Sequence, residues 1–285
     1  MAQSRAAGTA RRRTRGRRRA RIEAVWRLVR SGRRAWRAWL AAPLTLRILI
    51  GALVVVALWS AVNWMYQVVR KPTELFFPVS GALNKPPADT WRQYGALFRE
   101  HSTATITPEL LAALAQVEGA GNPVARTYWR WRLTWHPLEL YQPASSAVGM
   151  YQITDATFRE ARRFCIHAHM VVEEGPWHDV HSCWFNGLYT RIVPSHAVEL
   201  TAALLDRGAA QALERQRIAG ATLEQKQDLA AVIHLCGAGP GDAYARRRFR
   251  LTPGQHCGDH DVSRYLSHVN TMKSYFSRLS GPAGI

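Results

Sequence analysis

The sequence predicts a mainly α-helical protein, a folded helical body carried behind one N-terminal transmembrane helix. Three observations predict it. Apolar residues recur at three- and four-residue spacing in segment after segment. No stretch alternates apolar and polar residues strongly enough to build a sheet, and no internal repeat is visible. Finally, Ile48 to Tyr66 (ILIGALVVVALWSAVNWMY) is a 19-residue run without a charge, about the ~20 residues that span a bilayer core.

The region before that run is as distinctive as the run itself. Residues 1–47 hold 15 Arg, no Lys and one acid, Glu23, a formal charge of +14 that leaves +4 of the total +18 for residues 48–285. The high isoelectric point therefore belongs to the tail. An Arg-rich tail alone is a footprint of nucleic-acid binding, but the apolar run behind it turns the reading toward a membrane. Arg is dense before the run, and only Arg70 and Lys71 lie just after it, which predicts an N-in topology. Trp59, Trp64 and Tyr66 gather at its far end, where interfacial aromatics belong. No small-residue cleavage pattern follows, so the run reads as an uncleaved signal anchor at 48–66. The tail, 1–47, then lies on anionic lipid of the inner leaflet, and no nucleic-acid partner is expected.

Residues 67–88, with PTELFFPVSGALNKPPA, are proline-rich and aperiodic and read as a stalk. The body follows at 89–285. All four cysteines (Cys165, Cys183, Cys236 and Cys257) lie beyond the anchor, an even count on the exported side that implies two disulfides. Of the three connectivities, the sequence-local one is favoured: Cys165 with Cys183 and Cys236 with Cys257.

The body opens with an amphipathic helix from Asp89 to His101. The next helix has legible ends: Thr107 as N-cap, Pro108 in the first position, Glu109 at the positive end of the dipole. Leu110, Leu111, Leu114 and Val117 mark its buried face, and Gly119 and Gly121 stop it. Glu118 continues the apolar face at the helix C-terminus. Poor solvation and the negative end of the dipole both disfavour its charged form there, which is the condition a general acid needs.

An aromatic insert follows, with Tyr128, Trp129, Trp131, Trp135 and Tyr141. Such rings suit sugar faces, though most are expected to fill a satellite core. A helix over 154–170 carries Phe158, Ala161 and Phe164. The segment from Cys165 to Cys183 holds His167, His169, His178 and His181 between two cysteines, a spacing that fits no standard zinc site and reads as a disulfide-pinned loop, so no metal and no cofactor is expected. Trp177 and Trp184 are expected to pack this loop down. Helices over 195–207 and 223–235 follow, joined by a connection containing Gly208 and Gly220. LCGAGPG then turns tightly into DAYARRRFR, and a last helix spans 262–279.

Three blocks in order carry a resemblance. VEGAGNP supplies Glu118, Gly119, Asn122 and Pro123. SAVGMYQI supplies Ala147, Gly149, Met150, Tyr151 and Gln152, and LCGAGPG supplies Ala238, Gly239, Pro240 and Gly241. Together they resemble the goose-lysozyme-like lytic transglycosylases (the SLT family), over roughly residues 88–280. The resemblance implies a lysozyme-like helical domain with a groove for peptidoglycan glycan strands, and a body in the periplasm tethered to the inner membrane. It implies Glu118 as the one catalytic carboxylate, acid and then base, in place of the usual carboxylate pair. Gln152 and the turn from Gly149 through Met150 to Tyr151 would position the sugar and its N-acetyl group, and Tyr265 would reach into the cleft. Enzymes of this kind often open the wall for secretion or conjugation systems.

Three departures stand out. The family serine nine residues before the glutamine falls on Pro143, which passes any hydroxyl role to Ser145 or Ser146. The serine after the glutamate is Gly119. A Tyr-Asn pair of the third block is replaced by Cys236 and Gly237. Asp155, the one carboxylate near the second block, suits a helix start. Two other classes stand beside the lyase: an inactive glycan-binding scaffold, and a hydrolase that would need a second, water-activating carboxylate.

Overall fold

The computed structural model of the chain describes residues 37, 39–76, 78–176, 178–179 and 182–281. Most of the Arg-rich tail, Trp177 and His181 lie outside the described residues. The chain divides into two compact units, Met1–Trp64 and Met65–Ile285.

Helix α1, Leu44–Arg70, is long and apolar enough to cross a membrane. It begins before and ends after the charge-free run. Pro43 precedes its first residue, and Lys71-Pro72 ends it because a proline disfavours helix in the residue before it.

The second unit is helical, as expected from its periodicity. Its helices are α2 (Pro87–Glu100), α3 (Pro108–Gly119), α4 (Asp155–Ala161), α5 (Pro194–Arg215), α6 (Leu223–Cys236), α7 (Ala238–Arg246) and α8 (Val262–Ser280). Prolines open α2, α3 and α5, where the missing N–H costs nothing, and a Thr222/Gln225 capping box opens α6. Helix α3 is the centre, packed between α2 and α8, while α5 packs on α6 and α7. Phe98, Ile106, Leu110, Leu111, Leu114, Leu205, Leu229 and Phe276 are buried in one continuous core.

Several elements differ from expectation. The helix expected over 154–170 stops at Ala161. Phe164–His167 (β3) instead pairs antiparallel with Met170–Glu173 (β4). Ala168 and His169, at φ 48° and 63°, form the two-residue turn that a right-twisted hairpin needs. Residues rich in Val, Ile and Phe favour this ribbon over a helix. Two more ribbons form, Trp129–Trp131 (β1) with Tyr141–Pro143 (β2), and His256–Cys257 (β5) with His260–Asp261 (β6). At two to four residues each, these strands are too short for alternation to show in the sequence. Helix α5 continues through Gly208 to Arg215, and AGPGDAYAR is itself helix α7 rather than a tight turn. Its Pro240 sits in the first turn, where no backbone donor is required.

Residues 67–88, expected as a stalk, pack onto the body. Pro72–Phe76 and Ser80–Leu83 form single 3-10 turns. Glu74 is fully buried; it accepts a hydrogen bond from Trp129 Nε1 at 2.9 Å and pairs with Arg126 at 3.3 Å and Lys71 at 3.2 Å. Asn122 Nδ2 donates to Ser80 O at 2.6 Å and to Asn84 Oδ1 at 2.8 Å. Polar bonds hold this segment down, so no apolar period announces it. The disulfides are Cys165–Cys183 and Cys236–Cys257.

Candidate active site

Glu118 is positioned by the end of α3. The Thr107 hydroxyl accepts from Leu110 N at the front of the helix, and at its end Ala120 N and Gly121 N take the carbonyls of Gln116 and Ala115. Ala120 occupies the left-handed region, which turns the chain away directly after Glu118. Gly119 is needed for a different reason. A Cβ there would lie 2.8 Å from Met150 Cα, so the end of α3 sits directly on the backbone of the 147–153 turn. Where the resemblance expects serine, this contact leaves room only for glycine.

That turn is rigid. Gly149, at φ 81°, donates its N–H to Ala125 O at 2.8 Å, and a Cβ on it would strike Arg191 O at 2.5 Å. Gln152 holds φ 46°, a conformation that costs a residue with a side chain about 1–3 kcal/mol. Its Nε2 offsets this by donating to Gly149 O at 2.9 Å and Ala125 O at 3.2 Å.

Two side chains flank the Glu118 carboxyl. Tyr265, one turn into α8, donates its hydroxyl to Glu118 Oε1 at 2.6 Å. His234 of α6 places Nε2 3.7 Å from the same oxygen, within ion-pair reach. Burial pushes the Tyr265 phenol well above its ordinary value, with the Glu118 carboxylate adding to the effect, so Tyr265 remains a donor at any ordinary pH. The Glu118 side chain is 16% exposed, and that exposed part faces a groove.

The groove has two parts. A cleft of about 700 Å³ is lined by Glu118, Arg126, Tyr128, Gln152, Arg264, Tyr265 and the β5–β6 ribbon. A shallower part of about 430 Å³ runs past Gln116, Gly119, Asn122, Ser80 and Asn84. Val117, Glu118 and Arg126 line both, so the two parts adjoin at the end of α3. The β5–β6 ribbon contributes His256, Asp259, His260 and Asp261 to the wall, and Cys236–Cys257 ties it to the end of α6. Thus Cys236, where the resemblance expects a tyrosine, anchors a wall of the cleft. Tyr128 donates its hydroxyl to Asp259 at 2.9 Å, joining the segment before β1 to the tip of that ribbon.

The expected site residues divide cleanly. Glu118, Gln152 and Tyr265 come together in the groove. Gly149, Met150 and Tyr151 do not line it. Met150 and Tyr151 are buried, with the Tyr151 hydroxyl donating to Leu111 O at 3.2 Å, and the turn acts as a floor under α3. Ser145 and Ser146 belong to another hollow, beside Lys71, Asp155 and Arg191. Ser145 Oγ accepts from Ala147 N and Ser146 Oγ from Asp155 N, so both hydroxyls brace backbone. Asp155 pairs with Arg191 at 2.7 Å, away from Glu118. Trp184 is exposed, its ring tilted against Phe185 rather than packing the loop beneath it.

Sequence reasoning missed His234, Arg126, Arg264, His268 and the β5–β6 residues. For Arg264 and His268 a signal existed: they share a helical face with Tyr265. For the others only the tertiary fold supplies it. Among the described residues no group of three His, Cys, Asp or Glu is placed to hold a metal ion. No protein-family model matches the chain, and no curated protein matches it.

Proposed function

We propose that the chain is a membrane-anchored peptidoglycan lytic transglycosylase of lysozyme-like fold. It cleaves the β-1,4 bond between MurNAc and GlcNAc, with Glu118 as its acid and base. One observation carries this reading. A carboxyl hydrogen-bonded by a buried tyrosine belongs to a residue that lines both adjoining parts of an open groove, so a strand laid through both passes Glu118. The other two carboxylates of the groove are engaged: Asp261 Oδ1 accepts from Arg264 N at 2.8 Å at the start of α8, and Asp259 accepts from Tyr128. A one-carboxylate, substrate-assisted route needs neither of them.

In the first step the acetamido oxygen of MurNAc attacks its own C1. The C1–O bond to the leaving sugar breaks, and that oxygen takes the Glu118 proton. In the second step the C6 hydroxyl attacks C1 and displaces the acetamido oxygen, and its proton returns to Glu118. The product is a 1,6-anhydro sugar, and no water is consumed. Tyr265 holds the carboxyl toward the bond, and its hydrogen bond to Oε1 strengthens when the proton leaves. Gln152 fixes the turn beneath. The body works in the periplasm, tethered to the inner membrane, and such a tether suits local wall opening for a secretion or conjugation apparatus.

The test is digestion of purified sacculi with the detergent-solubilised full chain beside Glu118→Gln, with products read by mass spectrometry. Anhydromuropeptides from the parent and none from the variant are expected. Reducing-end products would replace the reading with a hydrolase and direct attention to Asp259 and Asp261. Sacculus binding without products would make the domain a glycan-binding scaffold.

A further inference from the structure

We infer that the loop joining β1 to β2 inserts into the surface of the bilayer that α1 crosses, giving the body a second hold on the membrane. Leu133 and Trp135 in this loop are each 100% exposed, and Trp131 at its base is 70% exposed. Tyr128 lines the groove beside Glu118, but Trp131, Leu133 and Trp135 line neither part of it, so they are not placed as sugar platforms. A loop tip that presents a leucine and a tryptophan to solvent contributes nothing to its own fold. Apolar exposure of this kind marks an interaction surface.

The neighbours of the loop identify the partner as lipid. Gln67 Nε2 donates to Leu138 O at 2.7 Å, Arg70 Nη1 to Glu139 Oε1 at 2.7 Å, and Tyr66 OH to the same oxygen at 3.5 Å. Tyr66 is the last residue of the charge-free run, and Gln67 and Arg70 are in the turn that follows. When α1 crosses a bilayer, chain continuity places these residues at headgroup level, where Trp and Tyr concentrate. Trp135 is three residues from Leu138, so at about 3.5 Å per residue it lies within roughly 11 Å of that level. Interfacial elements bury their apolar faces about 5–10 Å deep, which this reach allows. Arg130 and Arg132 are exposed beside the aromatics, and no acid occurs between Arg126 and Leu138, so the segment also suits anionic phospholipid. The inference depends on α1 crossing the membrane and not on the chemistry at Glu118.

The experiment uses the full chain in nanodiscs of phosphatidylethanolamine and phosphatidylglycerol. Tryptophan fluorescence is compared between the parent and Trp135→Phe, with acyl-chain-brominated lipids as the buried quencher and acrylamide as the aqueous one. The fluorescence lost in the variant is the Trp135 signal; it is expected to be quenched by brominated lipid and shielded from acrylamide. Quenching by acrylamide alone would sink the proposal, and so would shielding that arises only when glycan fragments are added. Hydrogen exchange of residues 132–137 in the same nanodiscs gives a second readout. Exchange should be slower in the parent than in Leu133→Ser/Trp135→Ser, and equal rates would also overturn the idea.

Discussion

Glu118, Tyr265 and Gly119 bear most directly on the proposed chemistry, and each allows a separate test. Glu118→Gln keeps shape and removes the transferable proton, so turnover on sacculi should fall by roughly 10²–10⁴ with no loss of thermal stability. Tyr265→Phe removes a 2.6 Å hydrogen bond to the carboxyl and keeps the ring. Hydrogen bonds to charged groups are worth about 1.5–3 kcal/mol, so kcat should drop about 10- to 150-fold with KM nearly unchanged. Gly119→Ala drives a methyl to 2.8 Å from Met150 Cα, and the backbone atom it meets cannot swing aside as a flexible side chain would. Overpacking of this kind costs about 1–3 kcal/mol, and thermal denaturation should show it together with reduced turnover. Glu118 was legible in the sequence because it continues an apolar helical face where a charge is out of place. His234 was not. Nothing within α6 marks it, and only the packing of α6 beside α3 and α8 brings its ring to 3.7 Å from Oε1.

The elements of the body are tied by two disulfides of nearly equal loop length, with sequence separations of 18 and 21. Loop-closure entropy makes each worth about 3 kcal/mol, and denaturant unfolding of Cys165→Ser/Cys183→Ser and Cys236→Ser/Cys257→Ser should give similar losses. Activity should separate them. Only Cys236–Cys257 holds a ribbon that lines the cleft, so its removal is expected to lower turnover far more, measured well below either unfolding transition. The segment at Pro72–Phe76 acts similarly through charge. Glu74 joins Lys71, Arg126 and Trp129 in a buried cluster, and Arg126 also lines the groove. Burial pushes the Lys71 ammonium down while Glu74 pulls it back, so the pair depends on both partners. The helices of the body were readable from their period and caps, whereas this segment was not, because proline and hydrogen bonding to distant backbone leave no periodic trace.

At the scale of the whole molecule, the buried phenols make stability sensitive to alkali. Burial raises the pKa of Tyr94, Tyr151, Tyr189 and Tyr265, and pushes Tyr244 up to about 12 from an ordinary 10.0. A group whose folded pKa is raised binds its proton more tightly in the native state. Its contribution is therefore fully present below pH 10.0 and is lost as pH rises through about 12 for Tyr244. The melting temperature should hold up to about pH 10 and fall steeply above it, with tyrosinate absorbance appearing at unfolding rather than before it.

The amino-acid sequence by itself determined that the chain is mainly helical, that one apolar helix precedes a body with four cysteines, and that Glu118 ends an apolar helix face. Those features rest on local periodicity, caps and composition, which are written within a few turns of chain. Tertiary structure alone decided which groups meet at the carboxyl, that Ser145, Ser146, Met150 and Tyr151 stay out of the groove, and that residues 67–88 belong to the body. Each of those outcomes depends on contacts between segments far apart in the chain, where a rotation of half a helical turn exchanges a buried side chain for one that faces the groove.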